Sequence, residues 1–205
     1  MTVNAYRSRR LVLKKNEPVR LVEMFAEAAG WKFAGVLNRD PEQEINYEAR
    51  WNVDTATSVH YIIDDVGIDS SGQLRYMLVL GGERSQRGEI LSLMEKGINV
   101  WTLDELTEIA NLSFGSGLPD EQMRAMLRLG LGAPLAATEA FTELFARGSK
   151  DPAPIVRYST LWGIVHAEWS ECLDIVEDLN HDPHPQVSEF AGRVLEAFSS
   201  VGDGT

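Results

Sequence analysis

His181 and His184 stand on either side of Asp182, with Asp178 just upstream, and imidazoles and carboxylates so close together are ligand types a divalent metal takes. A zinc site needs three or four ligands fixed on rigid elements, whereas these residues fall in a turn between helical patterns. A surface loop is therefore expected, and no metal is assigned. His60 lies between Val59 and Tyr61 in the β-rich run TSVHYII, where sheet packing is expected. Cys172 is the single cysteine and sits beside Leu173 and Val176 in a helical apolar pattern. It has no partner for an internal disulfide and reads as a small buried hydrophobe. Gly81-Gly82 lacks the further glycines and the lysine of a phosphate loop. No Ser-His-Asp or Cys-His set stands out, although triad members need not be neighbours in sequence. No catalytic residue and no cofactor are assigned, so the chemistry to expect is that of binding.

Two groups of residues suit binding. Ile155, Trp162, His166 and Trp169 fall on one face of a helix at about 100° per residue, turned away from Val156, Thr160 and Ile164. Tryptophan is enriched where partners dock, but Leu161 and Val165 make the same helix apolar nearly all round, as burial among other helices requires. Both readings stay open. The second group is acidic: Glu139 and Glu143 in one segment, and Glu171, Asp174, Glu177 and Asp178 in the next. Glu171, Asp174 and Asp178 are spaced i, i+3, i+7 and share a face opposite Leu173 and Val176. Like charges at that spacing weaken a helix mildly, so a basic partner is one reason for their placement and a solvated face is the other.

The elements that must position these groups follow from a repeat. Asp151-Pro152-x-Pro154-x-Val156 recurs 31 residues later as Asp182-Pro183-x-Pro185-x-Val187. Each Asp can cap backbone N–H groups and each Pro suits a first helical turn. Val156, Thr160 and Ile164 then match Val187, Ala191 and Leu195 at i, i+4, i+8. Phe145-x-x-Gly148-x-x-Asp151 likewise matches Val176-x-x-Leu179-x-x-Asp182. Five helices, about two and a half repeats, are expected from Met123 onward, and a stack this short needs a cap at one end. The stretch 151–198 resembles a HEAT-type α-solenoid repeat, whose opening is D-P-x-P-x-V-R. DPAPIVR matches fully, and DPHPQVS has Ser188 in place of the Arg. The resemblance implies a scaffold that binds other proteins, with the second helices of each repeat lining its concave surface.

Upstream, Pro18–Gly30 reads as an amphipathic helix, followed by strands at 31–38, 45–53, 57–63 and 73–80. A helix over 89–97, a short strand at 98–101 and a helix opened by the capping box Thr102-x-x-Glu105 complete this part. The expected fold class is α+β: a mainly antiparallel α+β domain over 1–112, a linker at 113–119, HEAT-like helices over 120–199 and a tail at 200–205. The order helix, three strands, helix, strand is similar to the core of the PD-(D/E)xK nuclease superfamily. Asp40, Glu48 and Arg50 are the nearest match to its metal-binding carboxylates and lysine. Arg stands where that lysine belongs and cannot give up its proton, so the expectation is a degenerate nuclease core at most.

Charge narrows the partner. The chain carries −12 formally, yet six of its 19 basic residues lie in the first 20, leaving 13 basic against 30 acidic residues in the remainder. Such a body disfavours nucleic acid, whose phosphates need clustered Lys and Arg; only the arm with Arg7, Arg9 and Arg10 could touch it. No apolar run reaches the ~20 residues that span a bilayer, and the N-terminus lacks the apolar core of a secretory signal. The reading at this point is a cytoplasmic, non-enzymatic adaptor for another protein, with a basic partner the one that charge favours and an immunity or antitoxin role against a basic toxin as the alternative.

Overall fold

The structure is a computed structural model and describes residues 6–14, 18–38, 47–65 and 73–202. It divides into two compact units between Thr102 and Leu103. Among the described residues, no helix is long and apolar enough to cross a membrane.

The first unit is a five-stranded antiparallel sheet with two helices on one face. Strands β1 (Leu11–Val12), β2 (Lys32–Leu37), β3 (Tyr47–Asn52), β4 (Thr57–Asp65) and β5 (Gln73–Gly81) lie in the order β1-β5-β4-β3-β2. Period-2 alternation sends Ala49, Trp51, Val59, Tyr61, Met77 and Val79 to one side. There they form a buried core with Val22 and Ala26 of α1 (Val19–Ala28) and Ile90 and Met94 of α2 (Arg84–Gly97). Gly30 ends α1 by taking φ 75°, a conformation that costs a residue without Cβ nothing. Helix α2 begins five residues before the expected start at Glu89, with Glu83 alone between it and Gly81-Gly82. The expected strand at 98–101 is a single bridge, Leu13 to Val100.

The basic arm is not a free arm. Arg7 bridges Leu80 and is buried, Arg9 pairs with Glu95, and Arg10 lies 6.0 Å from the ring centre of Tyr76. β1 adds this segment to the sheet beside β5, which ties it to the first unit.

The second unit is all helical: α3 (Leu103–Ser116), α4 (Pro119–Leu131), α5 (Glu139–Gly148), α6 (Pro154–Ala167), α7 (Leu173–Leu179) and α8 (Pro185–Gly202). An α+β fold with a helical C-terminal part is therefore present. The boundaries differ from those expected. The division falls ten residues before 112, because α3 packs on α4 and α5 within the helical unit. The expected linker 113–119 is the last turn of α3, a two-residue turn at Gly117 and Leu118, and the start of α4. Helix α8 continues to Gly202, through part of the expected tail.

Helices α4 and α6 make the closest crossing. A methyl placed on Gly130 would meet the backbone of Gly163, and one on Gly163 would meet the Met126 carbonyl and the Phe145 ring, each 2.9 Å away. Around this crossing Met126, Leu129, Phe145, Leu161 and Ile164 are fully buried. Replacing Gly130 or Gly163 by Ala is expected to cost about 1–3 kcal/mol, toward the upper end because backbone must move. Gly115→Ala in α3 meets nothing within 4 Å and is expected to gain up to about 1 kcal/mol from helix propensity. Urea unfolding of the three variants checks the contrast; equal effects would remove the crossing as a constraint.

Candidate interaction surface

The motif D-P-x-P-x-V-R organises the helical unit through its two ends. Asp151 Oδ1 accepts a hydrogen bond from the backbone N–H of Ala153 at 2.9 Å, and Asp182 Oδ1 accepts the equivalent bond from His184 at 2.8 Å. Each Asp thus folds the turn that places its Pro at the start of α6 or α8. Arg157, the Arg of the first copy, reaches the Asp of the second: Nε donates to Asp182 Oδ2 at 2.6 Å and Nη2 to Oδ1 at 2.8 Å. Its Nη1 also donates to the carbonyls of Asp151 and Pro152, at 2.8 and 3.1 Å. This fork-to-fork pair is nearly excluded from solvent. The Arg157 hydrogen bond is the main cause that holds the Asp182 carboxyl below its ordinary value.

This pair removes the metal reading of the histidine cluster. Asp182 is committed to Arg157, and His181 Nδ1 donates to the Glu177 carbonyl at 3.1 Å. Among the described residues no group of three His, Cys, Asp or Glu could hold a metal ion.

The aromatic face is taken apart by the end of α6. The helix stops at Ala167, and Glu168 takes the left-handed conformation, φ 59°. Trp169 therefore does not continue the face of Trp162 and His166. It is 2% exposed, stands edge-on to Phe141 and Phe145 with ring centres 6.0 and 6.1 Å away, and donates its Nε1–H to the Pro134 carbonyl at 3.1 Å. A side chain so enclosed offers nothing to a partner, and Trp169 belongs to the core. Trp162 is half-buried, 4.8 Å from the ring centre of Phe190 and 5.9 Å from that of His166. The first contact belongs to the packing of α6 against α8, and the second lies within α6.

The acidic residues remain at the surface. Glu139 and Glu143 of α5, Glu171 of the turn at Ser170–Cys172, and Asp174, Glu177 and Asp178 of α7 are all exposed. α5 packs against the turn that carries Glu171. Among the described residues none of the six makes an ion pair. Glu171 lies ahead of α7 rather than within it, and Asp174 is in its first turn, where a carboxylate is favoured by the helix dipole. Helix stability thus explains those two positions, contrary to the expectation from spacing alone, and leaves Glu177 and Asp178 near the C-terminal end without such a reason. Behind this surface Cys172 is fully buried, and burial first, then Glu171, pushes its thiol up to about 11.

The sheet of the first unit carries a polar chain that the sequence does not disclose. Ser58, His60, Glu48 and Arg50 share the face opposite the core, with Arg50 directly across from His60. Ser58 Oγ lies 2.7 Å from His60 Nε2, His60 Nδ1 bonds Glu48 Oε1, and Arg50 Nη2 donates to Glu48 Oε2 at 2.8 Å. Burial pushes the Glu48 carboxyl up, but the bonds from Arg50 and His60 outweigh it and leave the group below its ordinary value. Hydroxyl, imidazole and carboxylate stand in triad order. β4 pairs with β3 on one side and β5 on the other at Ser58, so its backbone N–H groups are spent on the ladders instead of forming an oxyanion hole. Both oxygens of Glu48, the carboxylate of the nuclease-like match, are engaged by Arg50 and His60; Asp40 lies outside the described residues.

Two outcomes are expected. Asp182→Asn costs about 3 kcal/mol at neutral pH, because Arg157 is left enclosed without its carboxylate. A carboxyl with a lowered folded pKa stabilises fully above the unfolded value of about 3.9 and loses that contribution as pH falls through the folded value. Unfolding midpoints across the acid range should therefore converge for wild type and D182N, and a constant gap would remove the pair as the cause. Cys172 should resist thiol reagents at neutral pH in the native protein and react on unfolding; rapid native labelling would contradict its burial.

No protein-family model, curated protein or solved structure matches this chain.

Proposed function

We propose that the helical unit is a protein-binding module that recognises a basic partner through the carboxylates of α5, the Ser170–Cys172 turn and α7. The observation that carries this reading is six exposed carboxylates, none ion-paired among the described residues, on adjoining short elements. Unpaired charges of one sign attract a complementary surface over distances near the Debye length and set association rate and specificity. The HEAT-like opening and the period of 31 residues support the same reading, since stacked helix pairs expose extended surfaces for partners. Neutralisation of a basic toxin is one form of such recognition. The surface itself, not catalysis, is the working part of this unit. Of the aromatic residues first considered, Trp162 packs on Phe190 of α8 and Trp169 is buried against Phe141 and Phe145, so the acidic residues carry the proposal.

The test is charge reversal. A variant with Glu171, Asp174 and Asp178 all replaced by Lys should lose partners that wild type retains from a cell extract at low salt. Its thermal midpoint should stay within a few degrees, because all three side chains are exposed. Association of the wild-type protein with a captured partner should slow steeply as salt rises. Capture of the same partners by the triple variant at low salt would overturn the proposal.

A further inference from the structure

Ser58, His60 and Glu48 share the sheet face opposite the core, and the tautomer of the imidazole follows from its two neighbours. Burial pushes the Glu48 carboxyl up, but the bonds from Arg50 and His60 hold it below its ordinary value, so it is ionised at neutral pH. An ionised carboxylate only accepts hydrogen bonds. In the neutral imidazole the proton therefore lies on Nδ1, against Glu48 Oε1, and Nε2 is left as an acceptor. The Ser58 hydroxyl is then the donor across the 2.7 Å contact to Nε2. These are the ring atoms through which a base takes a proton from a nucleophilic serine while a carboxylate fixes its tautomer. Arg50 Nη2, 2.8 Å from Glu48 Oε2, holds the carboxylate in turn.

The remaining requirement is a donor for the oxyanion, since the β4 backbone N–H groups are spent on the ladders. Register supplies one. Asn52 of β3 stands directly opposite Ser58 on the same face, with Cβ atoms about 4.5–5.5 Å apart by the spacing of such pairs. It is exposed, and its side-chain amide makes no hydrogen bond with any described residue. Side-chain amides are among the groups that stabilise a tetrahedral oxyanion. Ser58 is half-buried while Asn52 and Arg50 are exposed, which leaves the approach over Asn52 open.

We propose that this sheet face is a hydrolytic site for small carboxylic esters, with Ser58 as nucleophile, His60 as base, Asn52 as oxyanion donor and Glu48 as the residue that positions His60. Ser58 Oγ attacks the carbonyl carbon as its proton passes to His60 Nε2. The bond from that carbon to the leaving oxygen breaks, and the departing alcohol takes the proton. Water then attacks the acyl-Ser58 ester and gives its proton to Nε2; the carboxylic acid leaves, and Ser58 Oγ recovers the proton. A single oxyanion donor favours esters over amides, whose nitrogen departs less readily. The site lies within the first unit and does not depend on the acidic surface of the helical unit.

The experiment treats the full chain with an alkyl fluorophosphonate and, separately, with p-nitrophenyl acetate. The phosphonate should modify Ser58 alone, fluoride leaving as the bond from Oγ to phosphorus forms, and peptide mass spectrometry locates the adduct. Release of p-nitrophenolate from the acetate should fall roughly tenfold or more in Ser58→Ala. His60→Gln should slow both reactions by roughly a hundredfold. Because His60 is buried, Asn52→Ala separates chemistry from folding: it should slow both reactions by roughly tenfold or more and leave the thermal midpoint within a few degrees. Glu48→Gln should move the acid limb of the phosphonate rate to lower pH, because the carboxylate that favours the imidazolium is gone; a purely structural role would not move it. No modification of Ser58, a rate undiminished by Asn52→Ala or by His60→Gln, acetate hydrolysis no faster than in Ser58→Ala, or an unmoved pH profile in Glu48→Gln would each overturn the proposal.

Discussion

The helical unit depends on how closely α4 and α6 approach. Two helices packed through ordinary side chains stand 8–10 Å apart, but Gly130 and Gly163 meet backbone to backbone, where even one methyl would collide. The approach lets Met126, Leu129, Leu161 and Ile164 close around the crossing, each fully buried. Other contacts follow the same logic. Gly148 of α5 leaves room for the Thr160 hydroxyl and the Met126 sulfur, so α5 can settle on α6. Thr160 in turn satisfies its own hydroxyl by donating to the Val156 carbonyl at 2.9 Å. Small residues therefore carry the packing here, and their helix-weakening cost of about 1 kcal/mol each is offset by dispersion and burial around them.

Where glycines set spacing, the Arg157–Asp182 pair sets register. It ties the turn before α6 to the turn before α8 by two bonds between side chains and two more to backbone carbonyls. An enclosed ion pair contributes little net stability over an apolar contact of the same shape. Its value lies in specifying one arrangement: sliding α8 by a turn would leave a guanidinium and a carboxylate both enclosed and unpaired. Register, rather than strength, is what a period of 31 residues needs.

Much of this was legible in sequence, and the rest failed for identifiable reasons. The strands were readable because alternation and turn residues are local: Tyr47, Ala49 and Trp51 announce a half-buried strand by themselves. The Asp-Pro turns were readable because a capping side chain acts within a few residues. The division before α3 was not, since Leu106 and Ala110 look the same whichever unit they pack into. Trp169 misled because helical projection assumes the helix continues, whereas Glu168 ends it in a left-handed conformation usual for glycine. The Ser58–His60–Glu48 chain had no sequence signal beyond Ser-x-His on one strand. It exists through the β3–β4 register, which sets Arg50 opposite His60 and brings Glu48 within diagonal reach.

Charge placement separates two kinds of polar residue that composition cannot tell apart. A net charge of −12 makes every arginine in the helical unit seem a candidate for a nearby carboxylate, and Arg157 finds one. Arg147 instead lies 4.3 Å from the ring centre of Phe114, a cation–π contact that helps hold α5 to α3. Arg128 has neither solution among the described residues, although Glu121 is on the same stripe of α4. The surface carboxylates show the converse: on α7 no lysine or arginine is interleaved with Asp174, Glu177 and Asp178. The chain thus pairs charges where register demands it, at Arg157 and Asp182, and leaves the carboxylates of α5 and α7 exposed without an ion pair among the described residues.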